Sequence, residues 1–519
     1  MEARDRNEEE FFSDGTPIPD EPPTGGGGGK GSKTQLLMQM AEEQYRLIRG
    51  TDGRTYAVPK LGPRIAVPLR SKSGTGMRAK LATSLRRSTG LVASASDLAD
   101  CLNVLEGEAS ELDPEPVFLR TGRHVADGTE AIVVDMGTET GQCILITPHG
   151  WSIEASSPVI FRRSELTYPL VEPVRGGSLD RLRALINLGE DDYRLAIGWV
   201  VAAYFTDIPH PILFVQGEQG TAKSNLIRSL LALIDPQPAA DREAPADKRE
   251  WAIFARASWA FSFDNVTQIP EWLSNSLCKG VTGDAVLQRV LHSDEDIAVF
   301  SFRRVIAMTT IAIKHELAGD LVDRMLLVEP EVLDRRLTEA EVAAAREAAL
   351  PDALGAVLDL VSGVLRELPD VVVENAPRMA DFARVLAALD RVTGWHTLAT
   401  YREKIHTMGM ALIEGNTLAQ ALYRFATQTS PGGLGPRPWE GTAAELLAAL
   451  HQVYATYGLP TSELPQTVQA VGIRVREIAP SLRKVGVDIR FRKSGSKRFL
   501  RIVKRDAHPS PQPQPVLSS

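Results

Sequence analysis

The residues best suited to chemistry lie between positions 217 and 265. Gly217-Glu218-Gln219-Gly220-Thr221-Ala222-Lys223-Ser224 follows the apolar run 212–216 and leads, from Asn225, into helix-period residues. Strand, glycine loop and helix come in the order a phosphate-binding loop requires. The glycines let backbone N–H groups curl around a phosphate, and the helix N-terminus adds its positive end. Lys223 would reach the β and γ phosphates of ATP, and the Ser224 hydroxyl would hold Mg²⁺. Ala222 stands where such loops usually carry glycine, and its methyl is acceptable provided the local φ is negative. Forty residues after Ser224, the strand-like run 259–263 ends in Asp264, the expected Mg²⁺-side acid. Asn265 follows it. An amide can orient a water but cannot take its proton, so no catalytic base is assigned.

These residues need a sheet to hold them, and the next hundred residues supply its elements. The segment 277–291 contains Thr282-Gly283-Asp284 and Arg289. An acidic turn at 293–296 and a strand-like run at 297–302 follow. A second strand, 304–308, ends in Thr309-Thr310, and Arg324 precedes the apolar run 325–328. This arrangement resembles a superfamily 3 helicase ATPase of the AAA+ class, as found in phage and plasmid primase-helicases. The resemblance implies that Thr282, Gly283, Asp284 and Arg289 belong to a DNA-facing hairpin. It implies that Thr309 or Thr310 takes the sensor position, usually Asn. It makes Arg324 an arginine finger for a neighbouring subunit in a homo-oligomeric ring, which could be a hexamer. Gly150-Trp151, residues 158–163, Arg175-Gly176-Gly177, residues 377–383 and the basic C-terminus look like one actinobacterial-type group of these proteins. The likeness covers roughly residues 36–503. No acidic metal constellation for a primase stands in 36–170, and a separate primase is a possible partner.

The second informative region is near the C-terminus. Between Arg474 and Arg505 there are 12 basic and 2 acidic residues, a charge of +10, which leaves −18 on the rest of a chain of net charge −8. One basic module on an acidic body suggests a localised polyanion contact. Residues 442–457 have amphipathic helix period, 467–472 read as a short helix or turn, and 473–485 as a second amphipathic helix. Strands at 487–492 and 499–503 flank Lys493–Arg498. Helices followed by a basic hairpin make a winged helix-turn-helix, with the second helix in a major groove and the wing on phosphates or in the minor groove. The candidate DNA contacts are Arg474, Arg476, Arg483, Lys484, Lys493, Lys497 and Arg498.

The 519 residues are 43% hydrophobic and 24% charged, which excludes a wholly disordered chain. No apolar run is read as a membrane span, and no secretory leader is evident. Three separated cysteines argue against a disulfide framework and fit a cytoplasmic location. The expected architecture is an α/β P-loop NTPase core with an α+β N-terminal domain, a helical region and a winged helix. Its divisions are 1–35 (acidic, Gly-rich disordered tail), 36–170 (α+β), 171–335 (ATPase), 336–435 (helical), 436–505 (winged helix) and 506–519 (disordered tail). The function expected is that of a DNA-acting ATPase, a replicative helicase or initiator of a phage, plasmid or integrated element. The alternatives are an ATP-gated DNA-binding switch with little hydrolysis, which Asn265 favours, and a nucleic-acid-sensing defence NTPase.

Overall fold

The computed structural model describes residues 32–504 except 72–73, 75, 127, 239–240, 284, 290–296, 302, 312–318, 334–336, 429–437 and 495–496. Both expected tails, save 32–35, therefore lie outside the described residues. So do Asp284, the acidic turn and the whole linker at 430–436.

The described residues begin with helix Lys33–Gln44, whose N-terminus carries a Ser32–Gln35 capping box. It turns into strand Tyr45–Gly50, although helix-like periodicity in the sequence runs from Leu36 to Ile48. Pairing decides the matter: Tyr45–Arg49 register against Thr55–Pro59 and bury Ile48 with Tyr56 and Val58. Helices Met77–Thr89 and Ala95–Ser110 pack with the first helix over a six-stranded sheet. A four-stranded antiparallel meander, Thr121–Ala126, Thr129–Asp135, Cys143–Thr147 and Gly150–Glu154, follows.

The centre is a parallel sheet in the order Asp241–Arg242, Ala260–Phe263, Val305–Thr310, Ile212–Gln216, Met325–Val328. Both of its faces are covered, as parallel strands require. Strand alternation divides the side chains. Leu213, Val215, Val305, Ala307 and Leu326 pack against helices Glu190–Ala202, Lys223–Ile234 and Glu339–Glu367. Phe214, Phe261, Phe263, Ile306 and Met308 pack on the other face with Trp251, Leu273 and Leu277.

The first of these cores is continuous across three of the expected divisions. Ile132 and Val134 of the meander, Leu230 behind the glycine loop, and Leu354, Phe382 and Tyr401 of the helical region all belong to it. A buried ion pair reinforces the seam: Arg120 Nε lies 2.8 Å from Asp235 Oδ1, with 1% and 6% of the side chains exposed. Arg120 also donates to Asp135 O and Tyr168 O, and Asp235 Oδ2 accepts from Trp259 N. Among the described residues, the helical stretch Glu339–Asp370 is long and apolar enough to cross a membrane, a run the sequence reading passes over. Two thirds of its apolar window is buried in this core.

The C-terminal core starts earlier than position 436. Ile413, Leu418 and Leu422 pack with Leu446, Val475, Leu482 and Ile502. Helix Thr417–Thr427 is thus the first helix of this unit, followed by strand Trp439–Thr442 and helix Ala443–Tyr457. Residues 468–484 form one helix, Val468–Lys484, rather than the expected turn and helix. Val471, Val475, Ala479 and Leu482 make a single buried stripe along it, which holds the turn at 472 in the helix. Strands Val487–Ser494 and Lys497–Lys504 pair as a hairpin, with Trp439–Thr442 on its edge.

Candidate nucleotide site

In an open parallel sheet, ligands bind outside the carboxyl ends of the strands. The residues singled out between 217 and 310 meet there. Strand Ile212–Gln216 runs into the glycine loop, and helix Lys223–Ile234 leaves it. Strand Val305–Thr310 lies between the glycine-loop strand and the strand that ends before Asp264. That insertion puts Thr309 beside both.

Ser224 Oγ donates to Asp264 Oδ1 at 3.1 Å and Oδ2 at 3.2 Å. Thr309 Oγ1 donates to Asp264 Oδ1 and accepts from the Asn265 N–H at 2.7 Å. Thr310 instead donates to Val266 O, fully buried, so Thr309 is the threonine at the site. Lys223 Nζ donates to Gly217 O at 2.8 Å and Glu218 O at 2.7 Å, folding its cation back on the loop. Burial lowers the Lys223 pKa, and Asp264 opposes that shift.

The loop backbone carries a correction. Ala222 has φ 57° and ψ 30°, the left-handed region, where a negative φ is expected. An alanine there costs about 1–2 kcal/mol. Ala222 is the N-cap of helix Lys223–Ile234, at the point where the loop turns into the helix. Asn265 is also left-handed, at φ 51°, where asparagine is far better tolerated than glutamate. Its identity therefore has a backbone reason besides any role with water.

One anchor was missed. Asn187 Nδ2 donates to Thr221 O at 2.9 Å and to Glu331 O at 2.8 Å, tying the glycine loop to the chain leaving the last strand. Asn187 lies 30 residues before the loop in a segment with no motif, so no local signal marks it.

The donor set fits a divalent cation. A hydroxyl and a carboxylate in mutual contact are hard oxygen ligands suited to Mg²⁺, which takes few protein ligands and completes its shell with water and phosphate. Among the described residues no group of three His, Cys, Asp or Glu could form a fuller cage.

Other expected residues fall elsewhere. Arg324 is buried, with Nη1 2.7 Å from Asp320 Oδ1 and donating to Asp320 O. A finger for a neighbour must be exposed, so its place here is an ion pair within its own subunit. Arg378 and Lys484 extend that network: Arg378 Nη1 is 2.6 Å from Asp320, and Lys484 Nζ is 2.7 Å from Asp323. Lys484 is 8% exposed and also donates to Gly319 O. It docks the C-terminal unit on the sheet domain rather than facing DNA. Thr282 Oγ1 donates to Cys278 O inside helix Glu271–Thr282, and Gly283 at φ 91° ends that helix. Arg289 is the last residue of strand Ala285–Arg289, paired with Ile297–Ser301; its side chain lies outside the described residues, as does that of Lys497.

Arg474, Arg476, Arg483, Lys493 and Arg498 are exposed. Arg476 lies over the Phe491 ring at 5.0 Å, Arg474 donates to Glu463 O at 3.4 Å, and Arg483 is 3.6 Å from Asp488.

The fold and site define a parallel α/β domain with a strand–glycine loop–helix turn at the carboxyl edge of its sheet, joined to a basic helix-and-hairpin unit. Residues 179–409 match the family of actinomycete integrative conjugative element replication proteins, AICE RepA. Residues 418–514 match the C-terminal domain of AICE RepA, starting where the second core starts. The chain therefore carries AICE RepA replication-protein domains over both segments. No curated protein matches it. Among solved structures it is similar to the NrS-1 C-terminal region, at 11% identity over 92% of this chain and 100% of that one, with a TM-score of 0.37. It is also similar to the SCCmec type IV Cch active helicase, at 12% identity over 89% and 93%, TM-score 0.39. The JCV helicase matches at 13% identity over 45% and 71%, TM-score 0.21. These likenesses are too distant to fix the fold by comparison.

Proposed function

We propose that this chain is an ATP-dependent, DNA-acting replication protein of an integrative element, a helicase or initiator. The observation that carries the reading is the contact of Ser224, Asp264 and Thr309 beside the Lys223 loop. ATP phosphates would take the place of Gly217 O and Glu218 O as partners of Lys223. Backbone N–H groups of 220–224 and the helix N-terminus would bind the phosphate oxygens. Ser224 and Asp264 would hold Mg²⁺, which neutralises phosphate charge when bound. Thr309 would orient Asp264 and, with Asn265, the attacking water. The C-terminal unit reads as a winged helix that binds DNA through Arg474, Arg476, Arg483, Lys493, Lys497 and Arg498. A homo-oligomeric ring and a separate primase belong to the same reading, but Arg324 is not its finger.

A second reading, an ATP-gated DNA-binding switch, is favoured by Asn265. No carboxylate follows Asp264, and the residue before it, Phe263, is buried in the sheet. Binding of a fluorescent ATP analogue tests the shared part. The expected outcome is Mg²⁺-dependent binding, lost in Lys223→Ala. Equal binding by wild type and variant would refute the site.

A further inference from the structure

Helix Val468–Lys484 and the hairpin enclose a groove of about 680 Å³ that a DNA backbone alone does not explain. Its floor is apolar: Val468, Ile473 and Phe491 are 45%, 49% and 40% exposed. Its rim is cationic, from Arg476, Arg492, Lys493 and Arg498. Glu440, 3.9 Å from Arg492, makes a loose pair on one side. Exposed apolar side chains ringed by polar ones mark an interaction site, and the ligand that fits is anionic with large apolar groups.

The same chain contains such a segment outside its described residues. Glu8-Glu9-Glu10-Phe11-Phe12-Ser13-Asp14 carries four acids around two adjacent phenylalanines. Its four negative charges complement a rim of four positive ones in number, and its two rings suit an apolar floor. Seventeen residues, five of them the consecutive glycines Gly25–Gly29, separate Asp14 from Ser32. Fully extended, they reach about 60 Å, comparable to the ~60 Å diameter of a compact chain of this length. We propose that residues 8–14 dock in this groove and compete there with DNA.

This rests on the DNA-binding reading only for its consequence, since the docking itself is a contact within one chain. Tethering raises the effective concentration to about the millimolar range. A segment with a dissociation constant of ~0.1 mM would then be docked about ten times out of eleven, weakening DNA binding roughly tenfold.

The test uses the full chain. A fluorescent peptide of residues 6–16 is titrated with the Phe11→Ala/Phe12→Ala protein, whose own segment is disabled, and followed by anisotropy. It should bind, should bind wild type several-fold more weakly, and should fail to bind when Arg476→Glu and Arg498→Glu are added. The Phe variant should bind a short duplex ~3–10-fold more tightly than wild type. No peptide binding, or binding unaffected by the arginine changes, overturns the proposal. So does displacement of the peptide by one of residues 506–519 with no effect of the Phe changes on DNA affinity. Peptide binding without any DNA binding would retain the docking and refute the DNA reading instead.

Discussion

At the carboxyl edge of the parallel sheet, Ser224, Asp264 and Thr309 bond to one another, and Lys223 bonds to the loop that carries it. On the face of helix Val468–Lys484 and its hairpin, Arg476, Lys493 and Arg498 extend into solvent. In the first region each polar group is already held by a neighbour, so removing one leaves a buried or half-buried partner unsatisfied. The second presents charge on long side chains whose contribution is additive and salt-dependent. Single substitutions should therefore be severe in the first and graded in the second.

The largest effect is expected at the first region. Asp264→Asn should reduce any ATP turnover by two or more orders of magnitude, measured as phosphate release at saturating ATP. A drop of only a few-fold would mean that the carboxylate is not at the reacting centre.

Next comes the seam that supports it. Arg120→Ala leaves Asp235 buried without its cation and should destabilise the fold by about 3–5 kcal/mol. Denaturant unfolding measures this. Because Arg120 ties the meander to the end of the glycine-loop helix, loss of nucleotide binding should track unfolding. Independent loss would show that the two parts are separately stable.

The charged face should respond more gently. Arg476→Ala and Arg498→Ala should each weaken DNA binding by a few-fold and reduce the salt slope by about one. Lys484→Ala should leave that slope unchanged and lower thermal stability instead, since its ammonium pairs with Asp323. A slope change in Lys484→Ala comparable to that of Arg476→Ala would collapse the distinction between docking and DNA contact.

The smallest effect belongs to Ala222→Gly. Relief of the left-handed alanine, partly offset by glycine's greater unfolded freedom, should stabilise by up to about 1 kcal/mol. Destabilisation by that amount would argue that the methyl is packed rather than tolerated.

The meeting of Ser224 and Asp264 was legible because the signals for it are local. Loop, lysine and serine are consecutive, and Asp264 ends a strand whose apolar run is visible. The choice between Thr309 and Thr310 was not legible. Adjacent strand residues face opposite ways, and only the insertion of Val305–Thr310 beside the Asp264 strand decides between them. The sign of φ at Ala222 was missed; the residue is the N-cap, where the loop turns into the helix. At the C-terminus the charges could be counted but not placed. Lys484 and Arg483 are neighbours in sequence, yet one is buried against Asp323 and the other exposed. Arg324 stands at an expected motif position, but Asp320, one helical turn earlier, holds it within its own subunit. The domain boundary slipped from 417 to 436 because the linker at 430–436 is a strong break in composition. Helix Thr417–Thr427 nonetheless buries Leu418 and Leu422 in the later core.

The most direct test of the central claim is steady-state ATP hydrolysis by the full chain, with and without single-stranded DNA, beside Lys223→Ala. The account predicts Mg²⁺-dependent hydrolysis that DNA stimulates and that Lys223→Ala abolishes. Hydrolysis that survives in Lys223→Ala would contradict the site, and ATP binding with no turnover under either condition would contradict the motor and leave the switch.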